Sequence, residues 1–247
     1  MKSKYDVLGT DYATKRKSDP RIQHQIFEKL KNADKILNIG AGTGSYEPID
    51  KNLVAVEPSM EMIKQRSADA HPVIQGSAES LPFPDNSFSH GLTILSMHHW
   101  TDRITAFKEI NRVVTDQFIA VTWYPESKPF WLTKDYFPEI YDIDKVIFPS
   151  ISEMENHFES ISVEPLLIPE DCIDGFLAAY WKRPQMYLDA NVRYSISSFS
   201  KLPSVLNGLK KLKSDLENDN WHKQNEKLLT KSQLDVGYVI LTCKIRK

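Results

Sequence analysis

The sequence predicts an α/β fold with a parallel, doubly wound sheet. Between Lys35 and Val121, short runs rich in β-branched residues alternate with amphipathic stretches, and each run has the length of a strand. The runs are KILNI, LVAVE, PVIQ, FSHGLTIL and QFIAVTW. This alternation favours parallel pairing, because each helix carries the chain back across a face of the sheet. Two later runs, ISVEPLLIP and LDVGYVILTCKI, are expected to be the last two strands, with Gly237 as a bulge.

Helices are predicted from their start signals. Asp19 followed by Pro20 indicates one helix, which is expected to lie across the first strand. A second helix is expected after Thr101 as its N-cap, with an apolar face that extends to Val114. The stretch 171–232, which includes DGFLAAYW, has a helical pattern and lies between the last two strands. We interpret it as a helical insertion, because sheet strands flank it on both sides.

The composition excludes several classes of protein. The 247 residues are 41% hydrophobic and 26% charged, enough for a core of ordinary size, and the formal net charge of −2 gives no basic footprint for nucleic acid. The two cysteines, Cys172 and Cys243, have no metal-ligand companions, so we expect buried thiols, no disulfide and no metal site. No apolar run approaches the length of a membrane span. A soluble, cytoplasmic protein with no membrane or nucleic-acid partner is expected.

Three glycines lie within five residues directly after the first strand. Gly40, Gly42 and Gly44 allow a tight turn and a close approach to a ligand, and a short helix with free amides is expected next. The spacing is G-x-G-x-G, which differs from the G-x-G-x-x-G of dinucleotide enzymes. Glu57 ends the second strand, where a carboxylate accepts hydrogen bonds from both hydroxyls of a ribose. The pattern predicts a nucleotide-like cofactor; the alternative is a tight turn and a solvated glutamate.

Five sequence motifs occur in order between residues 36 and 114. They are ILNIGAGTG, VAVEPSMEMI, GSAESLPFPDNSF, a strand ending in LSMHHW, and EINRVV. Together they resemble the motifs of class I S-adenosylmethionine-dependent methyltransferases, in the branch that acts on small molecules. The resemblance implies a Rossmann-like seven-stranded sheet with an antiparallel last strand and the cofactor over the carboxyl ends of the first strands. It also implies S-adenosyl-L-methionine as cofactor and S-adenosylhomocysteine as product.

The resemblance assigns a set of cofactor-binding residues. They are Tyr12, Arg16, Asn38, Gly40, Ala41, Gly42, Gly44, Glu57, Ser59, Met62, Ser77, Ala78, Leu95 and Ser96. By the same resemblance, Glu57 holds the ribose hydroxyls, Met62 packs on the adenine and the Ala78 amide reads its edge. Similar enzymes usually carry an acid where Asn38 stands and often an Asp where Ser77 stands. We therefore expect the cofactor to lose two charged neighbours, although both side chains keep an acceptor oxygen.

The pattern along the chain, together with the resemblance for the cofactor-binding part, suggests how the chain is divided. Residues 1–34 are expected to close over the cofactor; Tyr12 and Arg16 would share a helix face, and Arg16 would pair with the cofactor's carboxylate. The alternative is an exposed arginine in a basic run. The other expected parts are a cofactor-binding core at 35–124, an aromatic lid with the sixth strand at 125–170, the helical insertion on the acceptor side at 171–232, and the last strand of the core sheet at 233–247.

Candidate catalytic residues are His98 and His99, which follow the fourth strand. Methyl transfer from a sulfonium needs a base only if the acceptor loses a proton, and histidine suits that role near neutral pH. The alternative is a helix-entry element that packs near the cofactor. Candidate acceptor-binding residues are Trp123, Tyr124, Phe130, Trp131, Tyr180 and Trp181. The alternative for these aromatic side chains is that they fill the core.

The sequence thus predicts an enzyme of the EC 2.1.1 type, which transfers a methyl group to a small-molecule acceptor by in-line displacement. Two alternatives remain open. A nicotinamide-dependent Rossmann oxidoreductase shares the first strand, the turn and the acid on the second strand. A non-catalytic S-adenosylmethionine-binding or regulatory protein would explain Asn38 and Ser77.

Overall fold

The structure is a computed structural model that describes residues 17–247. Its strands are β1 (Lys35–Ile39), β2 (Asn52–Glu57), β3 (Val73–Gln75), β4 (Phe88–Ile94), β5 (Val114–Trp123), β6 (Phe158–Pro165), β7 (Ile168–Pro169), β8 (Gln233–Leu234) and β9 (Tyr238–Ile245). A seven-stranded sheet has the order β3-β2-β1-β4-β5-β9-β6, and β7 pairs with β8. Neighbours from β3 to β5 are parallel, whereas β9 is antiparallel to both β5 and β6. The predicted Rossmann-like, seven-stranded sheet with an antiparallel last strand is confirmed.

Helices flank this sheet. They are α1 (Pro20–Glu28), α2 (Met60–Lys64), α3 (Arg103–Val113), α4 (Pro138–Ile147), α5 (Ile151–Glu155), α6 (Ala190–Tyr194), α7 (Leu206–Glu217), α8 (Asn220–Gln224) and α9 (Glu226–Leu229). Short 3₁₀ turns occur at Met97–His99, Pro184–Leu188 and Phe199–Lys201, and a π-helical turn at Leu132–Tyr136. None of the helices in residues 17–247 has the length and apolar character that a bilayer span requires.

Two apolar clusters cover the two faces of the sheet. Ile36 on β1 belongs to one cluster and its neighbour Leu37 to the other, and Ile119 and Phe118 on β5 divide in the same way. Successive side chains on a strand point to opposite faces, so each strand contributes to both clusters. The cluster on one face includes α1 residues, and the cluster on the other includes α3 residues. This explains why the central strands are apolar almost throughout.

Helix α1 begins as the sequence predicts. Asp19 is its N-cap and accepts a hydrogen bond from the Arg21 amide, and Pro20 is the first helical residue. Asp19 is fully buried, and its carboxylate also accepts from the Arg21 side chain and the Ile173 amide. The cap therefore ties α1 to the start of the region between β7 and β8.

Three local expectations were wrong. No helix lies between β1 and β2; residues 40–51 form turns, so no helix N-terminus follows the glycines. The segment DGFLAAYW, at 174–181, also consists of turns. Asp102, and not Thr101, caps α3 through the Thr105 amide, and Val114 is already the first residue of β5.

A third apolar cluster joins the region between β7 and β8 to the segment after β5. The Trp131 ring makes an edge contact with Trp221, with centroids 5.1 Å apart. Gly208 in α7 packs so closely that a Cβ there would overlap the Tyr136 carbonyl oxygen and the Phe137 ring. The close approach of α7 to this segment therefore requires glycine.

Candidate functional site

The turn after β1 is held in a conformation that suits glycine. The φ angles of Gly40, Gly42 and Gly44 are 68°, 54° and 90°, values that residues with a side chain rarely adopt. The amide of Gly40 donates to the Val56 carbonyl on β2 at 2.9 Å. A Cβ at Gly40 would overlap the Ser96 hydroxyl, which comes from the end of β4. The turn is therefore held between the carboxyl ends of β2 and β4.

The Glu57 carboxylate lies directly against this turn. It is 5% exposed, and its oxygens accept from the amides of Gly42 at 2.7 Å and Ser59 at 2.8 Å. Ser59 also caps α2, so its amide is fixed in place. The Met62 methyl group lies 3.4 Å from where a Cβ on Gly42 would be. The structure thus brings together the turn, the acid and the methionine that the sequence places in one site.

A buried polar network lies on the other side of the turn. The Asn38 amide nitrogen donates to Glu47 Oε1 at 2.9 Å, and Glu47 Oε2 pairs with the Arg66 guanidinium at 2.7 Å. The side chains of Glu47 and Arg66 are each only 4% exposed. The Asn38 Oδ1 atom is buried without a hydrogen-bond partner among the described residues. An orphaned acceptor beside a glycine turn is suited to a ligand that brings a donor.

The remaining cofactor candidates lie around the same edge. The Gly76 amide donates to the Glu57 carbonyl at 3.2 Å, so Ser77 and Ala78 directly follow a contact with the end of β2. Leu95 follows β4 with a φ of 51°, a strained conformation for leucine. The Ser96 hydroxyl accepts from the Trp100 indole at 3.1 Å. Tyr12 and Arg16 lie outside the described residues.

The two histidines form part of an aromatic cluster. The rings of His98 and His99 have centroids 3.8 Å apart, and the His98 ring lies 4.4 Å from that of Phe148. Phe148 in turn contacts Trp123, the last residue of β5, at 5.8 Å. Both histidines are partly exposed. This cluster connects the end of β4 with the end of β5, and a role for either histidine in proton transfer stays a prediction.

A narrow cavity lies beside the end of β5. Trp123 and Phe130 line it, as the sequence suggested for an acceptor site. Trp131 and Trp181 do not; both are buried, and each indole N–H donates to a backbone carbonyl. Tyr180 packs against the Arg183 guanidinium, and Tyr124 packs against the opposite cluster of the sheet. Neither lines the cavity.

Sequence reasoning missed the acid in this cavity. Asp144 lies on α4 and is 5% exposed, and its Oδ1 atom is 3.4 Å from the Lys201 ammonium. Burial raises the pKa of Asp144 to about 6, and the attraction of Lys201 offsets only part of that effect. A signal was present: Pro138 opens a helix in which Ile140 and Asp144 share one face. The proline-rich segment nevertheless suggested broken structure.

Comparison with known proteins gives the family. A model of the methyltransferase domain matches residues 37–119. A crystal structure from Anabaena variabilis, described as a methyltransferase from an antibiotic biosynthesis pathway, is 32% identical, with a TM-score of 0.82, and the match covers 93% of this chain and 98% of that one. The chain belongs to the class I S-adenosylmethionine-dependent methyltransferases. Its cofactor is S-adenosylmethionine.

Two curated relatives of the methyltransferase each match about half of this chain. The MJ1252 protein of Methanocaldococcus jannaschii is 32% identical over 125 residues, which cover 49% of this chain and 50% of that protein. The YcgJ methyltransferase of Bacillus subtilis is 30% identical over 140 residues, which cover 51% of this chain and 55% of that protein. The chain spans about half the length of the curated relatives that it matches.

The residues of the methyltransferase fit its cofactor. The buried Oδ1 atom of Asn38 lacks a donor among the described residues, and a sulfonium amino acid carries an ammonium group that supplies one. The buried Glu57 carboxylate lies at the glycine turn, and carboxylate oxygens accept more than one hydrogen bond each. Both groups lie at the carboxyl edge of the parallel strands, where ligands bind in open α/β sheets.

Proposed function

We propose that this methyltransferase transfers the methyl group to a small-molecule acceptor by in-line displacement. The observation that carries the proposal is the narrow cavity beside the end of β5, which Trp123, Phe130 and Tyr141 line together with Asp144. Small-molecule sites are concave and apolar with a few placed polar groups, whereas nucleic-acid sites are open and basic. The related Anabaena variabilis protein is described as belonging to an antibiotic biosynthesis pathway, which supports the same substrate class.

The proposed roles of the chain's residues are those that the family resemblance implies, and the positions of Asn38 and Glu57 support them. Asn38 Oδ1 accepts from the cofactor's ammonium group, and Glu57 accepts from the ribose hydroxyls. Met62 packs on the adenine, and the Ala78 amide reads its edge. When bound, S-adenosylmethionine supplies a methyl group on a sulfonium. The chain has then to align the acceptor and exclude water, because the leaving thioether departs neutral.

A base is needed only where the acceptor loses a proton. His98 and His99 lie at the end of β4, and ring contacts run from His98 through Phe148 to Trp123, which lines the cavity. We propose that one of them accepts that proton when the acceptor is a hydroxyl or an amine. Separate alanine variants, assayed on the identified acceptor across pH, decide which ring does so.

Radiolabelled methyl transfer tests the proposed function. The full chain is incubated with methyl-tritiated S-adenosylmethionine and, in separate reactions, a low-molecular-weight metabolite extract, total tRNA and a protein extract. We expect label to enter the metabolite fraction alone, and the heat-denatured chain to transfer none. Label in tRNA or protein would overturn the small-molecule assignment. Titration with S-adenosylhomocysteine is measured in parallel, and absence of binding would refute the proposed cofactor site.

A further inference from the structure

The cavity beside β5 contains one charged group among the described residues that line it. Its walls include Trp123 from β5, Phe130 and Thr133 from the segment after β5, and Tyr141 from α4. The Trp123 and Tyr141 rings meet edge to face, with centroids 5.6 Å apart. The charged group is Asp144, one turn along α4 from Tyr141. A carboxylate in an otherwise uncharged aromatic cavity needs a physical reason, because burial disfavours its charge.

The contacts of the Asp144 carboxylate with the described residues leave most of its hydrogen-bond acceptor positions unoccupied. Asp144 Oδ1 accepts from the Lys201 ammonium at 3.4 Å, a long contact for a charged hydrogen bond. Among residues 17–247, no other group donates to this carboxylate. An ionised carboxylate has about four acceptor positions, so most of them are available to a molecule in the cavity.

We propose that Asp144 determines acceptor specificity, by accepting a hydrogen bond from a hydroxyl or N–H group on a neutral aromatic ring. This inference rests on the proposed function. Asp144 is a positioning residue: it orients the acceptor relative to the end of β5. The aromatic walls select a flat ring, since offset and edge-to-face contacts suit such partners.

The neutral charge of the acceptor follows from the ion pair that Asp144 forms with Lys201. Lys201, which is 15% exposed, already balances the charge of Asp144. An anionic ring would meet the Asp144 carboxylate, and a cationic ring would compete with Lys201 for it. A neutral donor completes the hydrogen bonding of the carboxylate and leaves the ion pair intact.

Entry of a ring requires movement of the wall. The cavity is narrow, but Pro129 and Phe130, which line it, are partly exposed. We therefore expect Phe130 to shift outward when the acceptor binds. Thr133 donates to the Phe130 carbonyl at 3.3 Å, so its hydroxyl oxygen still accepts from a second donor on the ring.

Small aromatic probes test this inference on the full chain saturated with S-adenosylhomocysteine. The probes are 4-methylphenol, its methyl ether 4-methylanisole, benzylammonium and benzoate, and binding is measured by ligand-observed NMR titration. We expect 4-methylphenol to bind at least about tenfold more tightly than each of the other three, because a hydrogen bond to a charged group is worth that factor or more. Equal binding of the phenol and its ether, or tighter binding of either ion, would overturn the proposal.

Variants at Asp144 make the test specific to this side chain. In Asp144→Leu the preference for phenol over ether is expected to disappear, and in Asp144→Asn, which keeps an acceptor oxygen, it is expected to fall but persist. Asp142→Asn changes an exposed acid of the same helix and serves as the matched control with an unchanged preference. If both Asp144 variants keep the full preference, the proposal is wrong.

The affinity for S-adenosylhomocysteine distinguishes a failure of the role assigned to Asp144 from a failure of the proposed function. We expect it to be the same in the wild-type chain and in all three variants, which also shows that the variants fold. Normal affinity with no binding of the phenol would overturn the role of Asp144 and leave the proposed function standing. A wild-type chain that binds no S-adenosylhomocysteine would remove the proposed function, and this inference with it.

Discussion

The amide nitrogen of Asn38 donates to Glu47 Oε1 at 2.9 Å, so the amide is coupled to an acid that no sequence motif places there. Similar methyltransferases usually carry an acid at the position of Asn38. Here the negative charge lies one hydrogen bond away, on Glu47, and the buried Arg66 guanidinium balances it. The expectation that the cofactor loses a charged neighbour at this point stays a prediction. Asn38 presents its oxygen to the site while Glu47 orients its amide.

Replacing Asn38 by the usual acid is expected to fail in this context. Asn38→Asp places a second carboxylate against Glu47 in a site with little solvent, so the free energy of unfolding is expected to fall by about 1–3 kcal/mol. Glu47→Gln is also destabilising, because Arg66 then lacks its charged partner. The double variant is expected to be more stable than the sum of the single changes predicts, since the repulsion is gone. Urea unfolding of all four chains measures the coupling, and strictly additive effects would refute it.

Removing the charge of Glu57 is expected to weaken cofactor binding. Glu57→Gln replaces one acceptor oxygen by a donor, and we expect the affinity for S-adenosylhomocysteine to fall by about 1–3 kcal/mol. Isothermal titration measures the change, with thermal unfolding to check that the turn remains folded. Glu61→Gln, four residues further along the chain in α2, is the matched control and is expected to bind as the wild-type chain does. Unchanged affinity in Glu57→Gln would mean that the ribose lies elsewhere.

The buried Asp19 carboxylate is expected to make the fold less stable in acid. Burial alone would raise its pKa, but hydrogen bonds from the Arg21 side chain and from the amides of Arg21 and Ile173 lower it to about 2. Because the folded-state pKa lies below the ordinary value of 3.8, the carboxylate stabilises the fold above about pH 4 and loses this effect as pH falls towards 2. The contribution is up to about 2 kcal/mol.

Comparison of the wild-type chain with Asp19→Asn isolates this effect. The difference in their free energies of unfolding is expected to be largest near pH 5 and to shrink steadily towards pH 2. The exposed Asp142→Asn variant should show no such trend. A wild-type advantage over Asp19→Asn that stays constant across this range would show that the cap acts through its shape alone.

Local signals in the sequence were enough for much of the fold. The strands follow from their β-branched runs, and Asp19 with Pro20 marks the start of α1 because both act within one turn. The helix expected after the glycines does not form; residues 40–51 contain Pro48 and no apolar repeat, so a helix there would have no face to bury. The apolar residues of DGFLAAYW are buried although this segment forms turns and no helix. The Trp181 indole N–H donates to the carbonyls of β7.

The site was predictable where neighbouring strands bring its residues together. It was not predictable where irregular segments or tertiary packing do so. The glycine turn follows β1 and Glu57 ends β2, and these two strands pair side by side, so the meeting of the turn and the acid could be inferred from topology. Glu47 reaches Asn38 only through the irregular path of residues 40–51, which no periodic pattern encodes. Asp144 meets Lys201 across 57 positions of the chain, and tertiary packing alone brings them together. Long-range polar contacts of this kind decide the chemistry of the cavity.

The placement of β9 between β5 and β6 has a consequence for synthesis on the ribosome. In the sheet β6 pairs with β9 alone, so it emerges from the exit tunnel well before its partner has been translated. The residues of β6 suit a strand that is unpaired for this time. Most of them are exposed, and they include glutamates at 159 and 164 and a proline at 165. Charge and proline discourage association with other nascent chains. We therefore expect β6 to remain unpaired with other chains until β9 has been translated and pairs with it.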